Sequence, residues 1–161
     1  MGIDDLIVYM LSFKRLKIVL DANVLYQALR AESGASRAIL ELIFEQKIKH
    51  SVSTPVFKEY EEVLKRDSSK KDLGIKDKEI KKILGFIAYV SFAQTIYHSF
   101  RPNLRDEDDN HFEELAIASN ADYLITSNTK DYLVGNNLKF EDLKVITPSE
   151  FMKIWRVENE S

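Results

Sequence analysis

The stretch KIVLDANVLYQAL at residues 17–29 decides the fold. Its first four residues form a short apolar, β-branched run, and helical signals begin straight after Asp21. An apolar run this brief, followed at once by a helix, reads as a parallel strand buried on both faces. Val24, Leu25, Ala28 and Leu29 recur at helical spacing, and Asn23 is placed to cap that helix. Asp21 therefore stands at the carboxyl end of a buried strand.

The same alternation continues along the chain. Gly34 breaks the first helix, and Ser36 opens a second that buries Ile39, Leu40, Ile43 and Phe44. Residues 48–53 (IKHSVS) read as a strand. Thr54-Pro55 then starts a helix with Val56, Tyr60, Val63 and Leu64 on its apolar face. The polar residues 67–74 (DSSKKDLG) read as a loop, residues 76–86 as a helix and residues 89–96 as a strand. Residues 101–110 (RPNLRDEDDN) form a charged loop feeding a helix with Phe112, Leu115, Ala116 and Ala118. Two further strands are expected at 121–126 (ADYLIT) and 144–147 (KVIT), with a short helix near 130–133 between them. Pro148 opens a terminal helix that packs through Phe151, Ile154 and Trp155. Strands alternating with helices imply an α/β fold, a mainly parallel sheet with helices on both faces. Ligands bind such sheets just beyond the carboxyl ends of the strands.

Composition narrows the chemistry. With 161 residues the chain fits one domain, and its 45% hydrophobic and 30% charged residues are ordinary for a globular protein. Cysteine is absent, which excludes disulfides, zinc-thiolate sites and thiol nucleophiles. Three histidines (His50, His98, His111) leave oxygen as the favoured metal donor, and oxygen selects hard ions such as Mg²⁺ or Mn²⁺. The net charge of −3 is not that of a general nucleic-acid binder. An RNA role needs local basic patches, for which Lys14, Arg15, Lys17 and the run 65–82 are candidates. Residues 1–16 read as an N-terminal extension before a single domain at 17–158. The apolar stretch 6–13 lacks a cleavage site and is far shorter than the ~20 residues of a bilayer span, so a cytoplasmic location with no membrane is expected.

The acids follow from the strand-end rule. Asp21 points into the crevice beyond its strand. Asp109 is expected in the first turn of its helix, with Asp106 three residues earlier on the same face if the helix starts early enough. Glu59 lies about a turn into a helix that also starts at this edge, although a glutamate among Glu61 and Glu62 is ordinarily a solvated one. Like charges held together require a neutralising cation, which makes converging carboxylates a divalent-metal site able to activate water against a phosphodiester.

These strings resemble a known family. IVLDANVLYQAL at 18–29, SVSTPVFKEYEEVLKR at 51–66, RDEDDNHFEELAIASNADYLITSN at 105–128 and KVITPSEFMK at 144–153 are similar, in order and spacing, to the motifs of PIN-domain nucleases. That family includes the VapC-like toxins of toxin–antitoxin pairs. The resemblance implies a three-layer α/β/α PIN-like fold and an Mg²⁺- or Mn²⁺-dependent endoribonuclease that hydrolyses RNA phosphodiesters. It places catalytic and metal-binding roles on Asp21, Glu59 and Asp109, with Asp106 and Asp131 as further candidates and Asn23, Thr126 and Asn128 in support. Many members carry an acid where Asn128 stands, which leaves the fourth acid open between Asn128 and Asp131. Toxin members imply an antitoxin partner and a homodimer or higher oligomer. A catalytically weak PIN-like module binding protein or RNA is the alternative. A haloacid-dehalogenase-type phosphotransferase needs an Asp where Asn23 stands, and a response-regulator receiver needs a phosphoacceptor Asp and a Lys that are not evident.

Overall fold

The computed structural model describes residues 1–12, 15–96, 110–133 and 143–159. Its centre is an all-parallel five-stranded sheet formed by β1 (Lys17–Leu20), β2 (Lys49–Val52), β3 (Phe92–Ala93), β4 (Tyr123–Ile125) and β5 (Lys144–Ile146), in the order β3-β2-β1-β4-β5. Ile18, Val19 and Leu20 of the central strand are essentially inaccessible, as are Leu124 and Ile125 beside them. Burial on both faces explains why β1 reads as a continuous apolar run rather than an alternating one. The register sets Leu20 opposite Ile125, and the ladder extends one step further through the Asp21 amide to the Ile125 carbonyl at 2.9 Å. That extra bond holds Asp21 and Thr126 side by side at the carboxyl edge.

Helices α2 (Ala22–Arg30), α3 (Ala35–Phe44), α4 (Thr54–Lys65), α5 (Asp67–Leu73), α6 (Asp77–Val90), α7 (His111–Ala118), α8 (Lys130–Leu133) and α9 (Pro148–Asn159) complete a three-layer α/β/α arrangement. α4 packs against α2, α6 and α7, while α3 packs against α2, α6 and α9. α1 (Ile3–Ser12) precedes β1, and residues 1–10 are all exposed. None of the described helices is long and apolar enough to cross a membrane.

Several local expectations are corrected. Residues 67–73 form a helix rather than a loop. Asp67 sits in its first turn, Lys70 and Lys71 in its last, and Gly74 closes it at φ +65°. Charges matched to the helix dipole and a left-handed cap outweigh the polar composition. Residues 89 and 90 belong to α6, and strand pairing is confined to Phe92 and Ala93. Ile80, Leu84, Ile87 and Val90 keep a helical spacing, and this burial pattern overrides the β propensity of Tyr89 and Val90. The α2 cap position belongs to Asp21, and Asn23 lies inside the first turn. The cap of α4 is Ser53, whose Oγ accepts the Val56 amide at 3.3 Å. α7 begins at His111, directly after the 101–110 segment expected as a loop but too late for Asp109 to fall in its first turn, with the Asn110 side chain accepting the Phe112 and Glu113 amides.

Candidate functional site

Asp21 follows directly on β1, where the chain turns into α2. Its Oδ2 accepts hydrogen bonds from the Thr126 hydroxyl at 2.7 Å and the Tyr132 hydroxyl at 2.8 Å. Thr126 directly follows β4 and is wholly buried, and Tyr132 of α8 is nearly so. Its hydroxyl is held well above the ordinary tyrosine value, first by burial and then by the Asp21 charge, so it remains a donor. Both donors converge on one oxygen. No hydrogen bond from a described residue reaches Oδ1, which leaves that oxygen for another partner.

Glu59 of α4 is half-buried. Its pKa is raised from the ordinary glutamate value, first by burial and further by the nearby Asp21 charge, while His111 opposes the shift. The Asp21 charge therefore reaches Glu59 at the strand edge. His111, the first residue of α7, lies between two acids, with Nε2 3.9 Å from Glu59 Oε1 and Nδ1 3.9 Å from Glu114 Oε2. Nδ1 is buried without a hydrogen-bond partner among the described residues.

Backbone spacing at this edge is fixed by a buried polar chain. The Ser91 hydroxyl meets His50 Nδ1 at 2.7 Å, His50 Nε2 meets the Tyr60 hydroxyl at 3.2 Å, and that hydroxyl donates to the Leu20 carbonyl. Since the Tyr60 hydroxyl donates onward, His50 must present Nε2–H to it and accept from Ser91 at Nδ1. Leu20 immediately precedes Asp21 and Tyr60 immediately follows Glu59, so this chain ties the two acids' backbones together. Burial depresses the His50 pKa to about 4, keeping the ring neutral.

The supporting residues are also located. Asn23 Oδ1 accepts the Ser127 amide at 3.3 Å, holding the loop after β4 against α2. The Asn128 amide donates to Thr126 Oγ1 at 3.1 Å, and its side-chain Nδ2 donates to Asp131 Oδ2 at 2.8 Å. The two candidates for the fourth position are therefore partners of each other. Asp106, Asp109 and Lys14 lie outside the described residues. Among the described residues, no group of three or more His, Asp or Glu side chains is arranged to hold a metal ion. The donor chemistry nonetheless suits a hard cation, because the Asp21 charge reaches Glu59 and no hydrogen bond from a described residue engages Asp21 Oδ1.

Sequence does not single out Tyr132, Tyr60 or His111 as site residues. Tyr132 sits in the short helix expected near 130–133, where an aromatic ring ordinarily means packing. His111 is one of three histidines, and nothing in its sequence neighbours sets it apart from the other two.

A sequence model of the family described as PIN domain matches residues 17–130. The chain is also similar to the uncharacterised protein MJ1680 of Methanocaldococcus jannaschii, with 36% identity over 148 residues covering 86% of this chain and 91% of that protein.

Proposed function

The chain belongs to the PIN-domain family, and from that premise we propose that it is a metal-dependent endoribonuclease whose catalytic and metal-holding acids are Asp21, Glu59 and Asp109. PIN domains are generally nucleases that act on nucleic acid with divalent metals. The observation that carries the reading is the treatment of Asp21. Two buried hydroxyls aim its carboxylate from one side, and Glu59 approaches closely enough to feel its charge. A cap or dipole-complementing aspartate needs no such support, and this one makes no side-chain cap bond.

Asp21 and Glu59 would hold Mg²⁺ or Mn²⁺, together with Asp109 and with Asp106 as a further candidate. Such an ion supplies charge neutralisation and an activated water. The protein's own contribution is positional. Thr126 and Tyr132 fix Oδ2, the Ser91–His50–Tyr60 chain fixes the backbone between the acids, and Asn23 holds the β4 loop. Asn128 supports that loop through the Thr126 hydroxyl, and Asp131 joins the rim through Asn128. Residues 17–158 act as one domain behind the 1–16 extension, in the cytoplasm. The toxin role, with an antitoxin partner, extends this reading and predicts growth arrest on expression.

The second reading, a weakly catalytic protein- or RNA-binding module, draws on Asn128, which brings no charge to its position and spends its amide on Asp131. Incubation with structured RNAs in Mg²⁺ or Mn²⁺, beside Asp21→Asn and Glu59→Gln, separates the two. Cleavage that both substitutions abolish supports the nuclease. Cleavage that is absent, or that survives both, overturns it.

A further inference from the structure

Apart from Met1 and Val157, the large hydrophobic side chains exposed among the described residues fall into two groups. One is α1, where Ile7, Val8 and Met10 are 46%, 68% and 62% exposed. The other is an aromatic patch of Phe86 and Tyr89 on α6 with Phe92 of β3, at 45%, 81% and 50%. Phe86 packs edge-on against Phe44 and stacks with Tyr89, while Lys49 sits 5.8 Å above the Phe92 ring. Exposed apolar side chains grouped in this way mark an interaction site.

We propose that these groups are the two halves of one interface, the α1 helix of each copy docking on the α6 aromatic face of a second copy. Charge selects the occupant. α1 carries Asp4 and Asp5 ahead of Ile7, Val8 and Met10. α6 carries Lys78, Lys81 and Lys82 ahead of Phe86 and Tyr89, and none of these lysines is in an ion pair among the described residues. In each helix the charges precede the apolar centre by about four residues, or ~6 Å. Parallel docking that sets Val8 on Phe86 therefore sets Asp4 and Asp5 beside Lys81 and Lys82.

Connectivity demands the same direction. α1 leads into β1, so it leaves the body at the end of the sheet where strands begin. α6 runs toward that same end, because β3 starts just after it. An arm reaching in from a copy across that end must lie parallel to α6 for its carboxyl end to return to its own β1. With arm and patch at one pole, a single two-fold axis satisfies both reciprocally and closes the assembly as a dimer. At roughly 200 Å² per aromatic side chain, the exposed portions of three rings leave on the order of 350 Å² per copy. α1 contributes a comparable apolar area, which brings each copy near the ~800 Å² of a stable interface. Asp21 lies at the opposite end of the strands, so the exchange leaves the candidate site open and does not rest on the nuclease reading.

Light scattering coupled to size exclusion at about 100 µM tests this on the full chain. The native chain should have the mass of a dimer, and Val8→Glu and Tyr89→Lys should each be monomeric with unchanged circular dichroism. Asp4→Lys/Asp5→Lys and Lys81→Glu/Lys82→Glu should each weaken the dimer at least tenfold, and their combination in one chain should restore it. A monomeric native chain overturns the proposal, as does a dimer that survives both single variants or charge reversals that do not compensate. A monomer whose Tyr89→Lys variant gains affinity for RNA, or whose α1 folds back on its own α6, overturns it too.

Discussion

His50 is 2% exposed, at the centre of the Ser91–His50–Tyr60–Leu20 chain. Its pKa lies near 4 in the folded protein against 6.5 for an ordinary histidine. Above pH 6.5 the ring is neutral in both states and adds no pH dependence. Between pH 6.5 and about 4 the unfolded chain takes up a proton that the folded protein refuses, so stability falls as pH falls, and below about 4 the loss levels off. At 1.36 kcal/mol per pKa unit the full loss is about 3 kcal/mol, a large fraction of a typical domain's stability. Urea unfolding of the native chain and of His50→Gln should be compared from pH 7.5 to 4. Gln can accept from Ser91 and donate to Tyr60 but does not titrate. The native advantage over His50→Gln should shrink by about 3 kcal/mol across that range, with most of the change between pH 6.5 and 4. A difference that stays constant with pH would refute the assignment of a buried neutral ring.

Removing either hydroxyl from Asp21, by Thr126→Val or Tyr132→Phe, should cost about 1.5–3 kcal/mol in urea unfolding, the usual range for a hydrogen bond to a charged acceptor. Both donors share Oδ2, so the double variant should depart from additivity by 0.5 kcal/mol or more, and strict additivity would count against a shared acceptor. In the metal-free protein, carboxyl NMR should place the Glu59 pKa above the ordinary value, lower it in Asp21→Asn and raise it further in His111→Gln. Because the folded pKa is the higher one, Glu59 destabilises the folded state as pH rises through the interval above its unfolded value. Glu59→Gln should therefore raise the melting temperature of the metal-free protein at pH 7 but not at pH 3.

The central sheet was legible because β1 and β4 are buried on both faces and flanked by clear breaks, as at Asp21. What escaped was set by tertiary context. The 67–73 helix is polar because it lies at the surface, and its capping geometry outweighs composition. The carboxyl end of α6 has strand-like residues, but Val90 is held by burial in register with Ile87. Asp21 could be found from strand-end logic alone, whereas Glu59 needed the family resemblance because a half-buried glutamate beside Glu61 and Glu62 has no local signature. Tyr132 and Tyr60 reach the site through hydroxyl groups at the tips of packed rings. Sequence shows the ring and not the direction of its tip.

The most direct test is the Mn²⁺ dependence of the single-turnover RNA cleavage rate in the native chain, Asp21→Asn and Glu59→Gln. The native rate should rise and saturate with Mn²⁺ and vanish with a chelator. Each substitution should move the midpoint by about tenfold or more, or abolish the rate. A rate indifferent to chelation, or superimposable curves for the three proteins, would contradict a metal-dependent centre built on Asp21 and Glu59.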